Sequence, residues 1–109
     1  MKRAVTTIAI ALLWSSSAFT DVKYDDFDAN RDQFTTYLSG VSRGISWTNS
    51  WASIRGHPAY CPPPDLAITN EQAIDILDRY VQKRGESARN DPIELLLLQA
   101  LRDVFPCKD

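Results

Sequence analysis

Apolar residues at Phe34, Leu38, Val41, Ile45 and Ala52 recur at intervals of three, four and seven, the spacing that lines one face of an α-helix. No proline interrupts residues 31–54, so the pattern predicts a helix there despite its serines and threonines. A break is expected near "SWTNSW". A second line, Tyr37, Gly40, Gly44, Trp47 and Trp51, runs beside the first. Each glycine costs a helix about 1 kcal/mol relative to alanine, so two of them four apart need a reason. One reason is close approach of another helix, within the chain or across a dimer. The other is an aromatic anchor for a partner protein, since Trp and Tyr are enriched at such anchors.

The flanking segments are read the same way. Residues 19–30, "FTDVKYDDFDAN", are acidic and show no clear period, which predicts an extended or frayed lead-in with Asp28 or Asn30 as a cap. "RGHPAYCPPPDLAI" carries four prolines and reads as a stiff, extended loop. Thr69-Asn70-Glu71-Gln72 is a capping box. After it Ala73, Ile74, Ile76, Leu77, Tyr80 and Val81 form one broad helical face, and Gly85 supplies the stop. "GESARN" is a polar connection. Asp91 as N-cap, Pro92 at the first helical position and Glu94 closing a second box start the last helix. Its run through Phe105 is apolar nearly all round, which predicts the most buried element, ended by Pro106. The fold class is therefore all-α, a bundle of three to four helices.

The first 18 residues stand outside that bundle. A basic start (Lys2, Arg3), an apolar run from Ala4 to Trp14 and small residues at Ser16 and Ala18 form the layout of a secretory signal peptide cleaved after Ala18, with Thr20 as second choice. An uncleaved anchor is the competing reading, but the apolar run falls short of the roughly 20 residues that span a bilayer. Residues 19–109 are then one exported domain. Without Lys2 and Arg3 it holds ten basic and fourteen acidic residues, a net charge of about −4. That argues against nucleic acid or anionic lipid as ligand, and it suits a basic protein partner.

Export changes the reading of the two cysteines. In an oxidising compartment a pair in a small domain most often forms a disulfide, and only Cys61–Cys107 is available. The prolines beside Cys61 would hold it in place for its distant partner. A Cys61–His57 dyad and a zinc site on His57, Cys61 and Cys107 are the alternatives. The oxidising compartment and a second available cysteine argue against the first, and the absence of a paired metal spacing such as C-x-x-C against the second. No nucleotide-binding glycine loop or Ser/His/Asp order appears, so neither an enzyme nor a cofactor is expected. The proline loop presents His57 and Tyr60 as candidate partner contacts, beside the exposed part of the Trp47/Trp51 line.

Four stretches together resemble the Rap/Tai family of small periplasmic immunity proteins, which protect bacteria against type VI secreted peptidoglycan amidases. They are "YLSGV" (37–41), "YCPPPDLAITNEQ" (60–72), "ILDRYVQK" (76–83) and "LLLLQALRDVFPC" (95–107). The resemblance implies an all-helical periplasmic protein, a disulfide joining the Cys-Pro loop to the Phe-Pro-Cys end, and frequently a homodimer. It also implies action by binding, with the amidase cleft occluded. A further cysteine pair common in the family is absent here. The reading from a different class is a periplasmic chaperone or envelope housekeeping protein with no toxin partner.

Overall fold

The computed structural model describes residues 21–108. The expected signal peptide, 1–18, lies outside the described residues. Four α-helices follow in order: α1 (Tyr24–Ala29), α2 (Arg31–Ile54), α3 (Asn70–Arg84) and α4 (Ile93–Val104), with a 3-10 turn at Glu86–Asn90 before the last. The all-α bundle predicted from periodicity is what forms.

The core follows from the apolar faces. Phe27, Leu38, Leu77, Ile93, Leu96, Leu97 and Leu101 are fully buried, and Phe34, Val41 and Ile45 pack against them from α2. Burial of each such side chain contributes about 1.5–3 kcal/mol. The capping box at α3 is complete: the Gln72 N–H donates to Thr69 Oγ1 at 3.1 Å, and the Thr69 N–H donates to Gln72 Oε1 at 2.9 Å. Gly85 ends α3 at φ 95°, a left-handed value that suits glycine.

Several expectations are corrected. The lead-in is helical: Tyr24 and Phe27 lie three apart and both are buried. A helix of six residues is not stable alone, so packing and charge make it. Nor does α2 break at "SWTNSW"; it continues to Ile54, with Asn49 buried within it. "GESARN" is a 3-10 turn that buries Ala88. Asp91 does not cap α4. Pro92 is the N-cap, and the Ile93 N–H donates to the Val22 carbonyl at 2.8 Å, so backbone replaces the expected side-chain cap. The α4 core face is as buried as predicted, but Leu95 and Val104 are exposed on its other sides.

Polar groups close the N-terminal end. Arg31 Nη2 donates to Asp78 Oδ1 and to Asp28 Oδ1, both at 2.8 Å, and Arg89 Nη2 reaches Asp28 Oδ2 at 2.8 Å. The Tyr24 hydroxyl donates to Asp78 at 2.7 Å. Burial first, then that bond, pushes the Tyr24 pKa up to about 12. Asp28 is held below the usual carboxylate range by its hydrogen bonds from Arg31 and Arg89. Three helices and the 3-10 turn are tied by this one network.

Candidate functional site

The opposite end is built around the proline loop. Cys61 and Cys107 form a disulfide, with Cα atoms 4.9 Å apart. Both cysteines are exposed, so the bridge lies on the surface. The Cys61 N–H also donates to the Phe105 carbonyl at 2.8 Å, so the loop is fastened to the end of α4 twice. Asn49 fastens it to α2. Its Nδ2 donates to the Tyr60 carbonyl at 2.8 Å, while its Oδ1 accepts the N–H groups of Ala59 (2.7 Å) and Tyr60 (3.2 Å). The asparagine amide offers both halves of that exchange on separate atoms, its NH2 donating and its oxygen accepting. A polar residue that weakens a helix intrinsically is here the link between helix and loop.

These fastenings decide which of the expected partner contacts are available. Tyr60 is not: at 2% exposed it belongs to the core, where burial pushes its hydroxyl pKa up. Its aromatic ring holds the loop down, a role the loop sequence does not distinguish from a partner-facing one. His57 is exposed beside the loop, its N–H bonded to the Ala52 carbonyl at 2.9 Å. Trp47 and Trp51 stand out from α2 at 76% and 62% exposed. Arg55 lies 5.6 Å over the Trp51 ring, a cation–π contact that leaves the Trp47 face open.

The glycine line is open as well. A Cβ built at Gly40 or Gly44 would meet nothing within 4 Å. Among the described residues no helix approaches there, and the internal-packing reading of the stripe is set aside. Next to the stripe a groove of about 430 Å³ runs between α2 and α4, floored by Val41, Ile45 and Leu98 and bounded by Gly44, His57 and Glu94. On its far side the loop borders a second recess of about 440 Å³ lined by Pro62, Pro63 and Pro64.

Glu94 is the residue that the sequence reading assigned elsewhere. Freed from a capping role, its Oε2 accepts from the Tyr37 hydroxyl, while Oε1 is shielded from solvent with no hydrogen-bond partner. The Glu94 bond, and burial after it, push the Tyr37 pKa up to about 12. The sequence signal that could have flagged it is Pro92: a proline at the N-cap cannot act as a side-chain acceptor, and without that half there is no reciprocal box.

Among the described residues no cluster of three or more His, Cys, Asp and Glu could hold a metal ion, and no helix is long and apolar enough to cross a membrane. The features present are a rigid exposed loop, an aromatic ridge and an open apolar groove, arranged side by side. They leave a free surface on a disulfide-tied helical body. The chain belongs to the Rap1a immunity protein family, whose family model matches residues 18–107. No curated protein and no solved structure matches it. The family is one of immunity proteins, and membership implies binding to a cognate effector toxin.

Proposed function

We propose that this chain is exported to the periplasm and there neutralises a peptidoglycan amidase delivered by type VI secretion, by docking on it and occluding its cleft. Membership of the Rap1a family is the observation that carries this reading. The basic, apolar, small-residue order of residues 1–18 supports export, and the Cys61–Cys107 bridge suits an oxidising compartment. An inhibitor benefits from a surface ordered before contact, because less entropy is lost on binding. The loop at 55–69, fixed by prolines, a disulfide and Asn49, has that property.

The test pairs the exported chain with the secreted cell-wall hydrolase encoded beside its gene. Saturable binding with loss of amide-bond cleavage in purified peptidoglycan is the expected result. A partner that binds but cuts glycan strands would replace the amidase assignment and leave immunity standing. Absence of both binding and protection would remove the inhibitor reading.

A further inference from the structure

Among the described residues the half-buried carboxylates form a small set: Asp28, Asp78, Asp91 and Glu94. Asp28 pairs with Arg31 and Arg89, Asp78 with Arg31, and Asp91 with Arg84. Glu94 has no ion-pair partner among the described residues, and one of its oxygens has no hydrogen-bond donor. A shielded carboxylate oxygen left without a donor is costly, the more so for a charged group. The three arginine-paired carboxylates all lie in the closed end of the fold. The unpaired one lines the open groove.

The rest of the groove is largely apolar, with Val41, Ile45 and Leu98 along it, Thr48, Asn49 and His57 also in its lining, and the bare backbone of Gly44 at its edge. An apolar trough with a single carboxylate has the complementary form of a lysine or arginine side chain, which carries a hydrocarbon stem and a cationic head. We propose that the groove between α2 and α4 receives a basic anchor residue of the toxin. Its stem lies on Val41, Ile45 and Leu98, its head meets Glu94, and Trp47 and Trp51 cover the flank. The assignment deepens the inhibitor reading and rests on it for the identity of the partner. Charge favours a separate basic partner over a second copy, since the chain is itself acidic, at −2 overall. Gly44 has a use here too: any side chain at that position would project over the groove's edge.

Two measurements on the exported chain separate the groove from the partner. In the first, n-butylguanidinium and n-butylammonium are titrated while backbone and methyl NMR signals are followed, with n-butanol as the neutral control. Saturable shifts centred on Val41, Ile45 and Leu98 are expected, weaker by about tenfold for the alcohol and for the Glu94→Gln variant. Glu94→Gln keeps an acceptor for Tyr37, so its fold is preserved, and its thermal midpoint confirms that. Equal binding by Glu94→Gln, or shifts centred elsewhere, overturns the site.

In the second, affinity for the hydrolase encoded beside the gene is compared across variants. Glu94→Gln and Gly44→Leu are each expected to weaken it by about tenfold or more. Gly44→Leu raises helix propensity, so a folding defect does not account for its loss. A hydrolase that binds both variants as tightly as the parent overturns the anchor while immunity stands. A groove that takes butylguanidinium in a chain that binds no hydrolase sinks the inhibitor reading and upholds the cation site. Concentration-dependent dimerisation abolished by Gly44→Leu would put a second copy in the groove and overturn the proposal.

Discussion

The two ends of this bundle treat polar and apolar surface in opposite ways. Around α1 every partly buried carboxylate has an arginine, the aromatic rings of Tyr24 and Phe27 are covered, and Arg89 and Arg31 lie 5.0 and 4.9 Å over them. Around the second half of α2, Trp47, Trp51 and Ile54 face solvent, two glycines leave backbone bare and Glu94 lacks a cation. The first end is satisfied within the chain. The second end leaves interactions to be completed by something else, and it can do so because the disulfide and Asn49 hold it in shape without that partner. Occlusion as proposed above requires this division, since the binding surface cannot also be the core.

The largest effect should come from the bridge that permits the division. Cys61 and Cys107 are 46 residues apart, a loop whose closure restricts the unfolded chain by about 4 kcal/mol. Domains of this size are often stable by only about 5–15 kcal/mol. The Cys61→Ser/Cys107→Ser variant is therefore expected to lose roughly 15 °C or more in melting temperature, and reduction of the parent should match it. Calorimetry of all three proteins checks this. An unchanged midpoint would mean that α4 and the loop hold together by packing alone.

Asn49→Ala should come next, at about 2–3 kcal/mol. It leaves the buried Tyr60 N–H and carbonyl without the partners Asn49 gives them, and unsatisfied buried groups carry that order of cost. Denaturant unfolding gives the magnitude. Hydrogen exchange gives the place: protection should fall at residues 59–60 and persist around Tyr24. Loss of protection at both ends together would show the two regions to be one cooperative unit.

A smaller effect probes the closed end. The Tyr24 pKa is raised from 10.0 to about 12, chiefly by burial and then by the bond to Asp78. The neutral phenol is favoured in the folded state, so this stabilisation is fully present below pH 10 and is lost as pH rises towards 12. Tyr24→Phe should cost about 1 kcal/mol at neutral pH through the lost hydrogen bond. It should also flatten the decline in stability between pH 10 and 12, as followed by urea midpoints across that range. A decline as steep as the parent's would assign it to Tyr37 or Tyr60 instead.

Much of the helical frame was legible in the sequence, because its signals are local. Thr69 to Gln72 is a contiguous capping box, the α3 face repeats every three to four residues, and Gly85 stops the helix. The disulfide was legible because two cysteines allow one pairing. What was not legible depends on distant groups. The lead-in folds as α1 only because Arg31, Asp78 and Arg89, from three other elements, close around Tyr24 and Asp28. Tyr60 and His57 sit three residues apart in one loop, yet Asn49 draws the first inward and leaves the second exposed. Glu94 fits a capping-box pattern, but the Asp91 N–H it would accept from donates to the Ala88 carbonyl, and its carboxylate meets the Tyr37 hydroxyl instead.

The last expected change has the opposite sign, and it bears most directly on the open end. Gly40 and Gly44 lie in the interior of α2, where alanine is favoured over glycine by roughly 0.5–1 kcal/mol per site. A Cβ at either meets nothing within 4 Å, so nothing inside the chain opposes the gain. Gly56, by contrast, ends α2 at φ 83°, where alanine would be strained. Gly40→Ala/Gly44→Ala should therefore raise the stability of the isolated chain by about 1–2 kcal/mol, read from denaturant unfolding at low concentration. Such a gain would mean that the glycines are kept for a surface outside the fold, at a cost to the fold. A loss would mean that the bare stripe is already covered in solution, by another copy pressed close against the α2 backbone, and the contrast between a closed and an open end would no longer hold.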